Sequence, residues 1–547
     1  MLEKGKKYEC KIVDIGQNGV GIGKHEGFTV FVDGALLGEV VDVKIKKSKK
    51  KYAEGLVSKI KERSPYRVDR ACNPKYTNCG GCQIQELDYQ KQLDLKTNIV
   101  KEDLKRIGGL ENVQVFDTIG MEKPFRYRNK AQFPVQMEDG KVKIGFYRKK
   151  SHDIIDIDKC LIQDEKNDLI IDIIRKYIEE ENISIYDEKS HKGLLRHIVT
   201  KVGFTSGQVM VVLVATEDRF KNLDRLIENL KDQVKGFTSL VVNINKDKTN
   251  VILGLKNINK YGNGKIVDKI GDLKFEISPL SFFQVNPIQT EVLYNKALEY
   301  ADLKEGDRVF DIYCGIGTIS LFLAQKAEFV YGVEIVEDAI KDARLNAKLN
   351  GMDNLEFFVG KAEEVVPEIY KEGKRANVVV VDPPRKGCDE RVLDTIVEME
   401  PDRVVYVSCN PSTLARDLRY LEDRGYRCEK VQPVDLFPHS VHVEVITLLS
   451  KLDSKKYISV ELPMDDMDLT SAESKATYKQ IQNYVLEKFG FKVSTLYIAQ
   501  VKKKHGLEVR EHYNISKNDN QRVPQCSIEK EEAILNALRN FNMLFLI

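Results

Sequence analysis

The sequence predicts a multidomain protein with an OB-like β-barrel, an α+β central domain, a Rossmann-like α/β domain and a small C-terminal α+β extension. The chain has 547 residues, and at roughly 150 residues per domain this length suffices for three or four domains. Short strands with glycine-rich turns open the chain, and apolar strands alternate with long helical stretches from about residue 290 to residue 450. We expect the four units at these boundaries: 1–62, 63–280, 281–450 and 451–547.

Composition limits the possible function classes. The 86 Lys and Arg residues nearly balance 84 Asp and Glu residues, and 42% of the chain is hydrophobic. This hydrophobic content is enough for buried cores, and the balance argues against a uniformly basic nucleic-acid binder. No apolar run approaches the ~18–20 residues of a membrane-spanning helix, and the first residues lack the hydrophobic region of a signal peptide. We therefore expect a cytoplasmic monomer without a membrane partner.

The barrel is predicted from short, closely spaced strands, the pattern of small barrels that bind oligonucleotides. Its fourth strand leads into Lys44–Lys51, which contains six lysines and no acidic residue. Such a run is either a solvated hairpin or, on a barrel rim, a surface that contacts phosphates.

The central region contains an amphipathic helix at 86–110, which we expect to pack on the α/β domain. After it, Arg126, Arg128 and Lys130 alternate with other residues. On a strand this spacing places the three cations on one face, as an RNA-backbone surface or as a charged outer face. In the C-terminal extension we expect a helix with a capping box at Thr470 and Glu473, then a strand-like Thr495–Ile498 and a basic run, Lys502–Lys504.

Three of the ten cysteines, Cys72, Cys79 and Cys82, are clustered. Ten cysteines are too few for a disulfide scaffold in a chain of this length. A zinc site usually pairs two Cys-x2-Cys knuckles, and the chain supplies only one. Three close cysteines with the remote Cys160 fit a [4Fe–4S] cluster better, and zinc remains the alternative.

A glycine loop joins the first strand of the α/β domain to a helix, in Asp311-Ile-Tyr-Cys-Gly315-Ile-Gly317. Glu334 ends the next strand, where a carboxylate can bind ribose hydroxyls. The dinucleotide fingerprint needs a third glycine where this chain has Ser320. The loop therefore favours a nucleoside cofactor without a pyrophosphate, such as S-adenosylmethionine, over a dinucleotide. A tight turn without a ligand is the alternative.

Two further loops follow strands of the same domain. Asp382-Pro-Pro-Arg385 follows four valines, and methyltransferases that act on exocyclic amines place an aromatic residue where Arg385 stands. Cys409 lies in a loop before a helix, where a thiol can have a lowered pKa and act as a nucleophile, although a lone cysteine is more often inert. Glu444 lies in an apolar strand, where a carboxyl is costly unless it has a role or a salt-bridge partner.

Together these motifs resemble the RNA uracil-C5 methyltransferase family over residues 5 to 450. The matching motifs are Cys72-x6-Cys79-Gly-Gly-Cys82, Phe283-Gln284-Val-Asn286, Asp311-x-Tyr313-Cys-Gly, Asp382-Pro-Pro-Arg-x-Gly387, Ser408-Cys409-Asn-Pro and His442-Val-Glu444. The resemblance implies that Cys409 attacks uracil C6, that C5 then takes the methyl group, and that Glu444 removes the C5 proton. It also implies a [4Fe–4S] cluster on the four cysteines and S-adenosylmethionine contacts from Gln284, Tyr313, Glu334 and Asp382.

The N-terminal barrel resembles the TRAM domain, an RNA-binding module. In the resembling family, barrel and cluster together imply 23S ribosomal RNA as the substrate, because the tRNA-specific branch lacks both. Radical tRNA methylthiolases also combine a barrel with a cluster, but their Cys-x3-Cys-x2-Cys motif is absent. Three alternatives stay open: a tRNA uridine-C5 methyltransferase, an RNA cytosine-C5 methyltransferase and an inactive iron–sulfur RNA-binding protein. The extension is either a further RNA-contacting module or a stabilising appendage.

Overall fold

The computed structural model describes residues 2–16, 18–149, 151–452, 478–491, 493–505, 526 and 528–541. It divides into two compact units, Met1–Ser454 and Lys455–Ile547, which are considered separately. Within the described ranges, no helix is long and apolar enough to cross a membrane.

The first unit begins with the predicted barrel. Its five strands close in the order β1-β2-β3-β5-β4. Apolar residues alternate along each strand and fill the interior, as Val41, Val43 and Ile45 do on one strand. The strands are β1 (Lys7–Ile15), β2 (Gly21–His25), β3 (Phe28–Asp33), β4 (Val40–Ser48) and β5 (Tyr52–Glu62). All six lysines of Lys44–Lys51 are exposed on the β4–β5 hairpin.

Next come α1 (Tyr89–Arg106) and β6 (Gln114–Val115). The Asp88 side chain starts α1 by accepting the Lys91 N–H at 3.3 Å. Val100 and Leu104 bury the apolar face of α1 in the core of the α/β domain.

The central domain is a seven-stranded sheet in the order β13-β12-β11-β10-β7-β8-β9. Two helices and one face of the sheet form one core, while Val199 and Val212 pack in the core of the α/β domain. The elements are β7 (Lys130–Glu138), β8 (Lys141–Tyr147), β9 (Ile154–Asp156), α2 (Lys166–Glu180), β10 (Leu195–Val202), β11 (Val209–Ala215), α3 (Leu223–Gln233), β12 (Phe237–Ile244) and β13 (Lys256–Tyr261).

The predicted common strand face of Arg126, Arg128 and Lys130 is wrong. β7 begins only at Lys130, and Arg126 has a φ of +55°, which interrupts the extended backbone that period two requires. Arg126 instead donates to the carbonyl oxygens of Cys160 and Gln163, at 2.7 and 3.0 Å. It therefore fixes the segment that carries the fourth cysteine.

The α/β domain holds an eight-stranded sheet in the order β18-β17-β16-β19-β20-β22-β21-β6. The strands β18, β17, β16, β19 and β20 are parallel, and β22 is antiparallel to both of its neighbours. The elements are β14 (Ile266–Ile270), β15 (Leu273–Ile277), α4 (Pro287–Ala301), β16 (Arg308–Ile312), α5 (Thr318–Ala324), β17 (Phe329–Glu334), α6 (Glu337–Leu349), β18 (Leu355–Val359), α7 (Ala362–Lys371), β19 (Val378–Val381), α8 (Glu390–Met399), β20 (Arg403–Ser408), α9 (Pro411–Glu422), β21 (Tyr426–Val434) and β22 (Glu444–Lys451).

This sheet has the strand-order reversal that forms a crevice in doubly wound folds. The strand order reverses at β16, because the chain builds outward to β18 and then returns to place β19 on the other side. Ligands bind at such a switch point, outside the carboxyl ends of the strands. The hairpin β14–β15, which precedes the predicted boundary at 281, packs in the same core as α4 and α5.

The second unit contains α10 (Tyr478–Phe489), α11 (Thr495–Lys504) and α12 (Ile528–Asn540). Ile481, Ile498 and Ile534 form its core. The predicted strand at Thr495–Ile498 is wrong, because the Ser494 hydroxyl caps a helix by accepting the Tyr497 N–H at 3.2 Å. The described residues of this unit form no strand, and the predicted capping box lies outside them.

Candidate active site

Cys409 directly follows the last residue of β20, and Glu444 is the first residue of β22. Ser408, the last residue of β20, pairs with Val445 of β22, so the chain brings Cys409 and Glu444 to the same edge of the sheet. Glu444 is only 4% exposed, and Cys409 is half-buried.

Burial raises the pKa of both groups in the substrate-free protein. Burial raises the pKa of Cys409 to about 11, with further contributions from Glu444 and Asp382, while Arg385 acts in the opposite direction. Burial and the Asp382 carboxylate also raise the pKa of Glu444 well above its usual range, and Arg385 again opposes them. The expected lowering of the Cys409 pKa is therefore wrong for this state, because desolvation outweighs the position before a helix.

Asn410 joins the cysteine loop to the Asp382-Pro-Pro-Arg385 loop. The side-chain amide of Asn410 donates to the Arg385 carbonyl oxygen at 2.8 Å. Its side-chain oxygen, Oδ1, accepts the Ser412 N–H at 3.2 Å, which caps α9. The Ser408 hydroxyl oxygen accepts the Asn410 N–H at 3.1 Å. These bonds hold Arg385, the cation that acts on both titrating groups, beside Cys409.

A cavity of about 200 Å³ opens beside Cys409. Ile99 on α1, Arg385, His442 and Asn18 contribute to its lining. Asn18 belongs to the β1–β2 connection of the barrel, so the barrel reaches the rim of this cavity. Asn18 is not recognisable as a site residue from the sequence, because no local pattern indicates that this turn meets a distant loop.

The glycine loop and Glu334 form one hydrogen-bonded unit at the carboxyl ends of β16 and β17. The Glu334 carboxylate accepts the Gly315 N–H at 3.2 Å and the Val336 N–H at 2.9 Å, one on each oxygen. Each oxygen keeps a second lone pair, so the carboxylate retains the capacity to accept ribose hydroxyls. Tyr313 precedes this unit with a φ of +72°, and its ring is largely buried, which raises its pKa.

The two glycines of the loop have different roles. A Cβ at Gly315 would meet no atom within 4 Å, whereas one at Gly317 would lie 3.2 Å from both Ala343 and Phe357. Both glycines have positive φ, +56° and +81°, which disfavours other residues. Gly315 therefore leaves open space for a ligand, and Gly317 permits close packing of the loop against α6 and β18.

The crevice carries an excess of buried carboxyl groups. Burial raises the pKa of Asp382 to about 7. Burial likewise raises the pKa of Asp311 to about 7, although the Ser320 hydroxyl donates to one of its oxygens at 2.5 Å. The other oxygen of Asp311 has no hydrogen-bond partner among the described residues. With Glu444 these groups suit a positively charged ligand, and Asp311 was not among the predicted site residues.

Gln284 lies on the segment that enters α4. The Gln284 side chain is buried, and the backbone carbonyl oxygen of this residue accepts the Asn129 side-chain amide at 2.9 Å. Phe283 packs in the same core as Ile316 of the glycine loop. The segment therefore joins the central domain to the crevice.

All four predicted cluster cysteines line one cavity of about 290 Å³, namely Cys72, Cys79, Cys82 and Cys160. Over the described ranges, no group of three or more His, Cys, Asp or Glu side chains is spaced to hold a metal ion. The Cys72 sulfur accepts the Gln85 amide at 3.4 Å, and the Cys79 sulfur accepts the Gly81 N–H at 3.5 Å. Four cations contribute to the same lining: Arg70, Arg128, Lys130 and Lys159.

Comparison with known proteins identifies the family. Residues 88–452 match the model of the tRNA (uracil-5-)-methyltransferase family. The chain belongs to this family. Residues 2–57 match the TRAM domain, so the resemblance drawn from the motifs is confirmed.

Individual family members match over nearly the whole first unit. An uncharacterized RNA methyltransferase of Clostridium tetani is 53% identical over 455 residues, covering 83% of this chain and 98% of that protein. A second, from Caldanaerobacter subterraneus subsp. tengcongensis, is 52% identical over 450 residues, covering 82% of this chain and 99% of that protein. The chain is thus an S-adenosylmethionine-dependent RNA uracil-5 methyltransferase with an N-terminal TRAM barrel.

A solved structure extends the family match. The crystal structure of Pyrococcus abyssi tRNA (uracil-54, C5)-methyltransferase in complex with S-adenosyl-L-homocysteine has a TM-score of 0.65 and 30% identity. The match covers 81% of this chain and 100% of that one. It therefore supports the same fold for almost the entire first unit.

Proposed function

We propose that this enzyme methylates uridine C5 through Cys409 and Glu444. The proposal depends on the Ser408–Val445 pairing, which brings Cys409 and Glu444 to the same edge of the sheet, and on the effect of Glu444 on the pKa of the buried Cys409 thiol. Uracil C5 is a poor nucleophile, but attack of the Cys409 thiolate on C6 forms an enolate with negative charge at C5. C5 then takes the methyl group. Glu444 removes the C5 proton, the C5–C6 double bond re-forms, and the Cys409–C6 bond breaks to release the thiolate.

S-adenosylmethionine would supply this methyl group on a positively charged sulfur. The open space at Gly315, the free lone pairs of Glu334 and the buried carboxyl groups of the crevice support its binding there. The residues that we propose hold it are Gln284, Tyr313, Gly315, Gly317, Glu334 and Asp382. Isothermal titration of S-adenosylmethionine into the wild type and into the Glu334→Ala variant tests this assignment. An unchanged affinity in the variant would contradict it.

We infer 23S ribosomal RNA as the substrate. The support is an analogy, because the branch of the family that combines a TRAM barrel with a cysteine cluster acts on this RNA. A tRNA substrate is the second candidate, favoured by the Pyrococcus abyssi tRNA enzyme. The match to that structure covers 81% of this chain, whereas residues 63–452 make up less than three quarters of it. The similarity to the tRNA enzyme therefore extends beyond the central and α/β domains. Mapping 5-methyluridine in 23S RNA and tRNA, from strains with and without the gene, distinguishes the candidates.

We propose that Cys72, Cys79, Cys82 and Cys160 hold a [4Fe–4S] cluster. A zinc ion needs its ligands around one atom, whereas the thiolates of a cluster bind separate irons. Four thiols that line one cavity can reach the separate irons of one cluster. The neighbouring cations balance the negative charge of a thiolate-bound cluster. When bound, the cluster would join residues 72–82 to Cys160, and no methylation step uses it.

Anaerobic purification tests the cluster. We expect a coloured protein that contains iron and acid-labile sulfide, and loss of both in Cys82→Ser. A matched Cys526→Ser variant, changed in the second unit, should keep them. A colourless protein that carries zinc would refute the proposal.

A further inference from the structure

Helix α1 carries a fully buried lysine, Lys96. Its ammonium group donates to Asp435 Oδ1 at 2.5 Å and to the Phe437 carbonyl oxygen at 3.1 Å. Neither side chain of the Lys96–Asp435 pair is exposed. The Tyr89 hydroxyl donates to the second oxygen of Asp435 at 2.9 Å. Removing two charges from water is costly, so the value of this pair lies in the geometry that it fixes.

Asp435 occupies the start of the β21–β22 connection. It directly follows Val434, the β21 residue that pairs with Glu444. The Asp435 N–H donates to the Ile119 carbonyl oxygen at 2.9 Å, and its own carbonyl oxygen accepts the Gln289 amide at 3.2 Å. These hydrogen bonds therefore fix the backbone at Asp435, next to the residue that pairs with Glu444.

The same helix also holds the far part of this connection. Gln92 lies one turn before Lys96 on α1, so both side chains project from one face. Gln92 accepts the His439 N–H at 2.9 Å, and its side-chain amide lies 3.2 Å from His439 Nδ1. His439 has a φ of +68°, and its ring stacks on Phe125 at 4.3 Å. Lys96 and Gln92 thus define the path of the chain that leads into Glu444.

We propose that Lys96 is a positioning residue for Glu444. Through Asp435 it fixes the connection that sets the Glu444 carboxyl against Cys409, and this inference rests on the proposed role of Glu444 as the base. Because Lys96 does not touch the reacting atoms, its loss leaves Cys409 able to attack C6. Methyl transfer then proceeds, but proton removal from C5 slows. The covalent RNA–protein adduct therefore accumulates, which a general loss of folded enzyme would not cause.

Three variants test this inference. Lys96→Met leaves the Asp435 carboxylate buried and uncompensated, which destabilises the fold. Lys96→Met/Asp435→Asn removes that orphan charge. Tyr89→Phe removes the hydrogen bond to Asp435 and the one that the hydroxyl accepts from the Met121 N–H, while it keeps the ion pair. Lys101→Met is the matched control, because Lys101 lies exposed on the same helix.

The readout is the adduct fraction on denaturing gels, measured with kcat and RNA affinity for the folded enzyme. We expect the double variant to lose about 10²-fold in kcat, the lower end of what a general base contributes. It should accumulate adduct and bind RNA as the wild type does. Tyr89→Phe should show a smaller accumulation, and Lys101→Met should match the wild type.

Glu444→Gln, measured in parallel, separates the two proposals. If it accumulates adduct and neither the double variant nor Tyr89→Phe does, the positioning role of Lys96 is overturned while the base assignment stands. If Glu444→Gln itself accumulates none, the base assignment fails and the positioning role fails with it. Where the Lys96 variants do not fold, Tyr89→Phe decides the outcome.

Discussion

Glu444, the first residue of β22, adds to the burial that raises the pKa of Cys409, the residue after β20. The same closeness that suits a nucleophile and a base therefore disfavours the thiolate before substrate binds. Arg385 is the cation that opposes this effect on both groups. Burial, Glu444 and Arg385 thus all act on the fraction of Cys409 that is thiolate.

Replacing the two reacting side chains should have different effects. We expect Cys409→Ala to lose roughly 10⁶-fold in kcat, as removal of a nucleophile does in other enzymes, and to form no adduct with 5-fluorouridine RNA. Glu444→Gln should lose about 10²–10⁴-fold and accumulate a covalent adduct with ordinary RNA. Labelled-methyl transfer and denaturing gels measure both effects. Turnover at the wild-type rate by Cys409→Ala would contradict the assignment of Cys409 as the nucleophile.

Adduct formation should accelerate with pH. Because the pKa of Cys409 is raised to about 11, the thiolate fraction increases about tenfold per pH unit between pH 7 and pH 9. Arg385→Gln removes a charge that lowers this pKa, so the profile should move to higher pH and the rate at pH 7.5 should fall. Arg385→Lys should restore much of the rate. Rapid-quench measurement of the 5-fluorouridine adduct checks both, and a profile unchanged in Arg385→Gln contradicts the role of this cation.

Asp311→Asn should stabilise the substrate-free protein at alkaline pH. The folded-state pKa of Asp311 is raised from 3.8 to about 7. A carboxyl with a raised folded-state pKa contributes its full stability below its unfolded pKa and loses it as pH rises through the folded value. The gain in Asp311→Asn should therefore grow between pH 4 and pH 7, to on the order of 1 kcal/mol or more. Thermal unfolding at pH 5 and pH 8 measures it, and a variant less stable at pH 8 would falsify the prediction.

The exposed lysines of the β4–β5 hairpin should contribute to RNA affinity through phosphate contacts. We expect the triple change Lys46→Gln, Lys47→Gln and Lys50→Gln to weaken RNA binding several-fold. The slope of log affinity against log salt should fall by about 0.7 per lost contact with single-stranded RNA. Filter binding at several salt concentrations measures this slope, with exposed Lys326→Gln as the control. An unchanged slope would mean that these lysines are only solvated.

The sequence predicted the features that local patterns determine. Alternating apolar residues predicted the barrel, and apolar strands followed by helices predicted the parallel sheet with its glycine loop. Two local predictions were wrong because a single residue decided the outcome. Arg126 adopts a positive φ that breaks the strand pattern, and Ser494 caps a helix where the residues alone suggested a strand.

The remaining features depend on contacts between distant parts of the chain. Lys96 and Asp435 are ordinary charged residues in the sequence, and only folding makes them a buried pair. Asn18 reaches the cavity of Cys409 for a similar reason. The pKa of Cys409 depends on desolvation by its surroundings, whereas the sequence showed only its position before a helix. No local pattern carries such information.

The position of β6 has a consequence for how the protein is made. This strand and α1 are synthesised before the central domain, yet β6 pairs with β21, close to the end of the first unit. The strands of the catalytic sheet are therefore far apart in the sequence, and β6 can pair only after β21 has been synthesised. Pairings between distant segments form slowly and leave edges exposed during synthesis. A protein fragment that starts at residue 281 would lack both β6 and Lys96. The edge of β21 would then be unpaired and prone to aggregation.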